Sequence, residues 1–376
     1  MPSRRLFWRV YLFASGAAFC LLVFLISAFL YNTYLARYDV VLPAYGETTD
    51  ATRQSWTTED PEVVRILALN GGALLGLAEL EVLKSMEEVS GRSIHELFDF
   101  VAGSSTGAIV GALLLLPEQE GKDPRTAQKA LTVYEEFASE VLTSSVMHRV
   151  LTVDGLFGPL FTNESRIEIA QRFFGGATFG DLARPAMFPA FIHNESAYEP
   201  FRNWRNENSD LLLSSLLTAV TSAPIMFPSV KLSGYDDKET IVSDPAFVLS
   251  SPAHLAYVVA REEQPSARRF IVVTLSADGP FTISDNSLIN GGIVQLFNTL
   301  TNTVFAGQRS LSEQALAAHS RYSSDVEVQS FSLRPTVTSE KLFDASEDNI
   351  TTIRGDGVAW VQQNTALIDS VVAALK

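Results

Sequence analysis

The stretch FDFVAGSSTGAIVGALLLL, residues 98–116, sets two serines among glycines in the middle of an apolar run. LFDFVA (97–102) reads as a buried strand, and TGAIVGALLLL (106–116) as a helix that is apolar on every side and hence central. Between them Gly103, Ser105 and Gly107 satisfy G-x-S-x-G. The physical content of that pattern is a sharp strand-to-helix turn that lifts its central serine into a strained, exposed position, with small residues avoiding a clash where the chains cross. The hydroxyl then lies at a helix N-terminus, where the dipole and the free N–H groups favour developing negative charge. Ser105 is therefore a candidate nucleophile; the bland alternative is a small-residue packing contact between helix and strand.

The same unit recurs upstream. VVRILAL (63–69) reads as a buried strand ended by Asn70, Gly71 and Gly72. A helix follows to about Val89, with Ala78, Val82, Met86 and Val89 on one face and Glu81, Lys84, Glu87 and Glu88 opposite, and Gly91 stops it. Strand, tight turn and helix, twice over, predict an α/β fold with a mostly parallel central sheet sandwiched by helices. Further strands are expected at AMFPAFI (186–192), RFIVVTL (269–275) and VEVQSFSL (326–333). Helices are expected over 127–143, 211–221, 252–261, 290–318 and 357–375, the last with Val358, Val361, Ile368 and Val372 inward. No composition break divides 61–376, which reads as a single domain.

Ahead of that domain, Val10 to Tyr31 is 22 residues without a charge. As a helix it measures about 33 Å, enough to cross a hydrocarbon core of ~30 Å. It exceeds the apolar core of a signal peptide and no A-x-A site follows, so it reads as an uncleaved transmembrane anchor over 10–31. Arg4, Arg5 and Arg9 precede it and Arg37 follows, which predicts a cytoplasmic N-terminus (1–9) and the domain on the non-cytoplasmic side. Residues 32–60 are polar and irregular and read as a stalk. The chain of 376 residues carries 28 basic and 43 acidic residues, net −15, and its N-terminal segment is basic. The body is thus a poor nucleic-acid binder and has no electrostatic draw to anionic lipid. The single Cys20 excludes a disulfide framework and a Cys-rich metal cluster.

A serine hydroxyl needs a base and an oxyanion site to act. None of the five histidines (95, 148, 193, 254, 319) lies in the Gly/Asp-rich loop expected of a hydrolase base, and each reads as a surface or satisfied residue. Asp244, in IVSDPAFVLSSPAHLA (241–256), ends a hydrophobic stretch; it is a candidate carboxylate as well as a candidate cap or turn former. NGGALLG (70–76) can aim backbone N–H groups into a concavity. The P-loop pattern is absent and the dinucleotide fingerprint incomplete, which argues against a nucleotide fold.

Three stretches together resemble the patatin-like phospholipases. ILALNGGALLGLAELEVLKSME (66–87) looks like their opening strand, oxyanion loop and first helix, FDFVAGSSTGAIVGALL (98–114) like their nucleophile elbow, and SDPAFVLSSPAHLA (243–256) like their Asp-Gly-Gly/Ala segment. TFGDLARPAMFPAF (178–191) and LLTAVTSAPIMFP (216–228) match more weakly, so the likeness runs in order over about 63–276. The resemblance implies a Ser-Asp dyad without histidine: Ser105 as nucleophile, Asp244 as proton acceptor, and backbone N–H groups at Gly71, Gly72, Ala73 and Thr106 around the oxyanion. It implies hydrolysis of glycerolipid or phospholipid acyl esters through an acyl-serine, phospholipase A- or lysophospholipase-like, with no metal or cofactor. Asn70, Ala73 and Leu75 stand where the family usually has Asp, Gly and a basic residue, and Pro245 replaces the glycine after the aspartate. A catalytically weak or silent lipid-binding relative, or an acyltransferase using another alcohol in place of water, fits the same residues.

Overall fold

The computed structural model describes residues 3–36, 38, 40–46, 56, 58, 60–118, 122–235, 239–279 and 293–376, with side chains from residue 14 onward except 293–302. Nine strands form one sheet: β1 (Val40–Pro43), β2 (Val63–Leu69), β3 (Phe100–Gly103), β4 (Ala186–Ile192), β5 (Ala197–Arg202), β6 (Val230–Ser233), β7 (Glu239–Ser243), β8 (Arg269–Leu275) and β9 (Glu327–Leu333). The helices are α1 (Ser3–Leu30), α2 (Leu75–Ser90), α3 (Ile94–Leu97), α4 (Thr106–Leu115), α5 (Ala127–Val141), α6 (Val146–Thr152) and α7 (Glu164–Phe174). Then come α8 (Asn206–Ser209), α9 (Leu213–Val220), α10 (Ala253–Glu263), α11 (Ile293–Tyr322), α12 (Glu347–Gln363) and α13 (Thr365–Leu375).

The strand order is β1-β6-β7-β4-β3-β2-β8-β9, with β5 hairpinned on β4. The run β4-β3-β2-β8-β9 is parallel throughout. Beyond it β7 pairs antiparallel with both β4 and β6, and β1 closes the edge parallel to β6. Strand β4 meets β3 only at Ala186 and Met187 and β7 only at Phe191 and Ile192; Pro189, with no N–H to give, sits between the two pairings.

Strand β2 shows why the parallel strands are continuous apolar runs. Val64, Ile66 and Ala68 point into one core layer, shared with α10, and Leu67 and Leu69 into the other, shared with α2, α4 and α5. Alternation puts successive side chains on opposite faces, and both faces are covered. Each such side chain, fully buried, contributes about 1.5–3 kcal/mol. Gly91 ends α2 in the left-handed conformation (φ 70°), its N–H donating to the Glu87 carbonyl.

The structure departs from the sequence expectation in several places, among them helices α3, α6, α7 and α8, which the sequence reading does not include. Val40–Pro43, inside the predicted stalk, is an edge strand of the sheet. Strands β5, β6 and β7 were not anticipated, because they are short or mix polar and apolar residues. Helix α2 is buried around most of its circumference: Glu79 and Glu81 are buried and Val89 is exposed, because α12 and α13 cover the face expected to meet water. The expected 357–375 helix is two helices that meet at Asn364, with Val358 outward and Ile368 and Val372 inward. Residues 290–292 of the expected 290–318 helix lie outside the described residues.

Helix α1 continues as a π turn over Tyr31–Leu35. Ala14–Leu35 is long and apolar enough, by length and composition, to cross a membrane; a signal sequence near an N-terminus satisfies the same criterion. Its C-terminal end touches the body. Asn32 Nδ2 donates to the Leu151 carbonyl at 2.7 Å, and the Phe29 ring meets Phe157 edge-on at 5.7 Å.

Candidate active site

Three strand ends build the site: β3 delivers Ser105, β2 the loop 70–74, and β7 Asp244. Ser105 has φ 53° and ψ −123°, a conformation hostile to a side chain. The turn is pinned on both sides, by Ser104 N–H to the Leu69 carbonyl at 3.0 Å and Ser104 Oγ to the Leu249 carbonyl at 2.7 Å. Glycine is required by close approach: a Cβ on Gly103 would strike the Gly107 backbone, one on Gly107 the Leu69 carbonyl, and one on Gly71 would sit 2.8 Å from Ser105 Cβ.

The loop after β2 presents amides. Among the described residues the N–H groups of Gly72 and Ala73 have no acceptor, and Thr106, first residue of α4, has none within its helix. The Gly71 N–H, expected to join them, points to the Ser250 carbonyl at 3.4 Å, so Gly71 contributes space beside Ser105 rather than a free donor. Ala73 takes φ 50°, the left-handed region where glycine is preferred. Its carbonyl is held by Tyr134 Oη at 2.8 Å and Thr106 Oγ1 at 3.3 Å. Those two bonds, with one from the Gly76 N–H, hold an alanine in a glycine's conformation. Leu75, where the family has a cation, lies on the apolar wall of the cleft.

Asp244 follows β7 and is 2% exposed. Its Oδ1 accepts from the Ala246 N–H at 2.8 Å, and its own N–H donates to the Ser222 carbonyl at 3.2 Å. The first bond spans Pro245, so the missing proline N–H is not needed there. Oδ2 is buried with no hydrogen-bond partner. Burial pushes the carboxyl up to about 6, opposed by the neighbouring Ser105 hydroxyl, the Ala246 N–H and the Arg166 guanidinium. Ser105 is thus close enough to act on the acidity of Asp244 without closing a full hydrogen bond to Oδ2.

Sequence reasoning missed Arg166. From α7 it donates to the Thr218 carbonyl at 2.5 Å, Thr221 Oγ1 at 2.9 Å and Asn163 Oδ1 at 3.0 Å, and it stacks on the Phe227 ring at 4.1 Å. It therefore fixes the end of α9 and the turn after it, where the Ser222 carbonyl accepts from the Asp244 N–H. Burial lowers the Arg166 pKa and Asp244 raises it; a guanidinium stays cationic at neutral pH all the same. The signal was in the spacing: Arg166 shares a helical face with Ile169, Ala170 and Phe174, all buried.

Ser105 and the loop amides open on a cleft of about 1170 Å³, its solvent-filled mouth included. Ile109, Phe137, Val141, Leu342, Phe343 and Phe305 make much of its wall apolar, and Arg166 and Arg309 reach it as cations. None of the five histidines lines it. His193 is bonded to Ser243 Oγ, beside Asp244 in the chain, at 2.9 Å.

A family model described as patatin-like phospholipase matches residues 67–257, which takes in all three strand ends. The chain is 25% identical over 352 residues to an intracellular phospholipase A2 of Caenorhabditis elegans, covering 88% of this chain and 30% of that protein. It is 33% identical over 127 residues to calcium-independent phospholipase A2-gamma of Rattus norvegicus (34% and 15%). With the cUMP-AMP-activated phospholipase of Escherichia coli it shares 30% over 127 residues (34% and 38%). The matches thus span well under half the length of these relatives. Among solved structures, VipD from Legionella pneumophila aligns with a TM-score of 0.39 at 12% identity, over 86% of this chain and 72% of that one. With a family model spanning half of its length and both loops that meet at Ser105, the chain belongs to the patatin-like phospholipase family.

Proposed function

We propose that the protein is a membrane-anchored serine lipid acyl hydrolase working through a Ser105–Asp244 dyad. As Ser105 Oγ attacks the ester carbonyl, the Asp244 carboxylate takes its proton. The carbonyl oxygen, now negative, is met by the N–H groups of Gly72, Ala73 and Thr106, which are preorganised and need no reorientation. Collapse breaks the bond to the alcohol, which leaves with the proton from Asp244, and the acyl group stays on Ser105. Water, deprotonated by Asp244, reverses the sequence and releases fatty acid. The apolar wall takes the acyl chain.

The observation that carries this reading is a strained serine beside a buried carboxyl whose second oxygen has no partner. A base poised near 6 is ionised at neutral pH and still basic enough to accept a proton. The packing of Phe29 and Asn32 on the body supports α1 as a retained anchor, since a cleaved segment would take those contacts with it. Arg4, Arg5 and Arg9 favour a cytoplasmic N-terminus.

The test is a fluorophosphonate probe on the full-length chain, with fatty-acid release from phospholipid vesicles followed in parallel. Wild type should label and release fatty acid; Ser105→Ala should do neither. Undiminished release by Ser105→Ala would overturn the assignment.

A further inference from the structure

We propose that the exposed apolar residues Val146, Met147, Val150 and Leu156, with Ile225, Phe247 and Val248, form a rim that seats in the bilayer surface and opens the cleft directly onto lipid. This rests on the reading of α1 as a membrane anchor.

Large apolar side chains stand well out of the body here: Val146 is 79% exposed, Met147 67%, Leu156 68%, Val150 48%, Val248 47% and Phe247 40%. They come from three separate segments, each next in sequence to residues that line the cleft. Val141 and Leu142, at the end of α5, line the cleft just before α6 begins. The loop after α6 bonds to the 225–226 segment, Leu160 N–H to the Ile225 carbonyl at 3.0 Å and Phe161 N–H to the Met226 carbonyl at 2.8 Å. Ile225 lies between the lining residues Ala223 and Phe227, and Phe247 follows the lining residue Ala246 and stacks on Phe305 at 6.0 Å. Ile225 is β-branched yet adopts φ 74°, and it is exposed. Such strain is retained where the surroundings over-determine it, often at a functional surface.

Charge and position select the occupant. In a chain of net −15, residues 141–161 hold one arginine and one aspartate, Arg149 and Asp154, bonded to each other at 2.7 Å. Segments 222–229 and 245–253 hold no charge at all. A protein partner for an acidic body would find complementary charge wanting here, whereas a lipid interface accepts a neutral apolar rim. The membrane is also already at hand. The end of α1 docks on this same segment, through Phe29 on Phe157 and Asn32 on the Leu151 carbonyl. A helix leaving a bilayer at that point sets α6 at the bilayer surface. A lipid could then enter the cleft acyl-first without crossing water.

The experiment uses the full chain in a Cys20→Ser background, with an environment-sensitive nitrobenzoxadiazole label on Met147→Cys or Leu156→Cys and, as reference, on Tyr322→Cys, which is 82% exposed. Each is reconstituted with phosphatidylcholine vesicles and floated. Flotation with blue-shifted emission at 147 and 156, and water-like emission at 322, is the expected result. Flotation with water-like emission at all three positions overturns the rim and leaves the anchor standing; failure to float overturns the anchor itself and the rim with it. As a second arm, Met147→Asp with Leu156→Asp should lower hydrolysis of vesicle phospholipid about tenfold while leaving a soluble short-chain ester unaffected. Equal loss on both substrates, or none on either, overturns the rim.

Discussion

Ser105 and Asp244 are each held in a state the unfolded chain does not prefer, and both leave a trace in stability. At φ 53°, ψ −123° the serine occupies backbone space that glycine enters freely. Ser105→Gly should therefore abolish turnover and raise stability by about 1–3 kcal/mol, whereas Ser105→Ala abolishes turnover without that gain, because the Cβ remains. Thermal unfolding of the full chain in detergent compares the two, and equal melting would remove the strain argument. Asp244 is raised from 3.8 to about 6 by burial, so the folded state binds its proton more tightly than the unfolded chain does. The destabilisation is absent below the unfolded pKa, grows as pH climbs from 4 to 6, and is complete above, at up to about 3 kcal/mol. Asp244→Asn should thus melt higher than wild type at pH 7.5, with the margin shrinking by pH 4. Activity moves the opposite way: kcat/KM on a soluble ester should rise with pH through about 6, as the base ionises. Arg166 favours the ionised form, so Arg166→Met should move that midpoint upward. A profile flat between pH 5 and 7 would mean that Asp244 is not the base.

In the proposed mechanism the loop after β2 acts as an element, and the Tyr134 phenol ties it to α5. Tyr134→Phe removes the 2.8 Å bond to the Ala73 carbonyl, the shortest of the three it accepts, and leaves Thr106 Oγ1 and the Gly76 N–H to hold a left-handed alanine. It should cost about 1 kcal/mol of stability and lower kcat roughly tenfold with little change in KM, since the loop amides engage charge formed in the transition state. A rise in KM alone would instead make Tyr134 part of the acyl-chain wall. Elements of this kind differ in how much of themselves they write into sequence. Strands β2 and β8 and the residues of α4 are apolar on both sides, and that continuity made the parallel half of the sheet and the elbow readable, to the residue for VVRILAL and RFIVVTL. Strand β1 has four residues and stays at an edge, so its polar surroundings read as a stalk. From its local sequence Asp244 reads equally as a carboxylate for the site or as a cap, and only the family pattern chooses between them, because the residues that surround it come from segments distant in sequence. Arg166 carries a charge of the kind that ordinarily faces solvent, although its spacing matches the buried face of α7.

The molecule as a whole joins an apolar N-terminal helix, the proposed anchor, to a sheet edge through a few residues, and the join can be cut at two places. A chain begun at Tyr38 lacks α1 but keeps β1, whose backbone pairs with β6 from Val40 to Pro43 and whose Leu42 and Ala44 are buried. It should fold, melt within a few degrees of the full chain, and hydrolyse a soluble ester at an unchanged rate. On phosphatidylcholine vesicles it should lose at least about tenfold, because the effective concentration supplied by a tether disappears and an acidic body has no charge with which to replace it. A chain begun at residue 47 also loses β1. The edge of β6 is then bare, and the Leu212 N–H, which donates to the Ala44 carbonyl at 2.8 Å, loses its acceptor. Burial of Leu42 alone is worth about 2 kcal/mol, so this second chain should melt clearly lower and associate through the exposed strand. Calorimetry with light scattering separates the two truncations. Identical melting would place β1 outside the cooperative unit and return residues 40–46 to the linker, whereas a drop confined to the shorter chain would make β1, paired through β6 to β7 and its Asp244 end, part of the cooperative sheet.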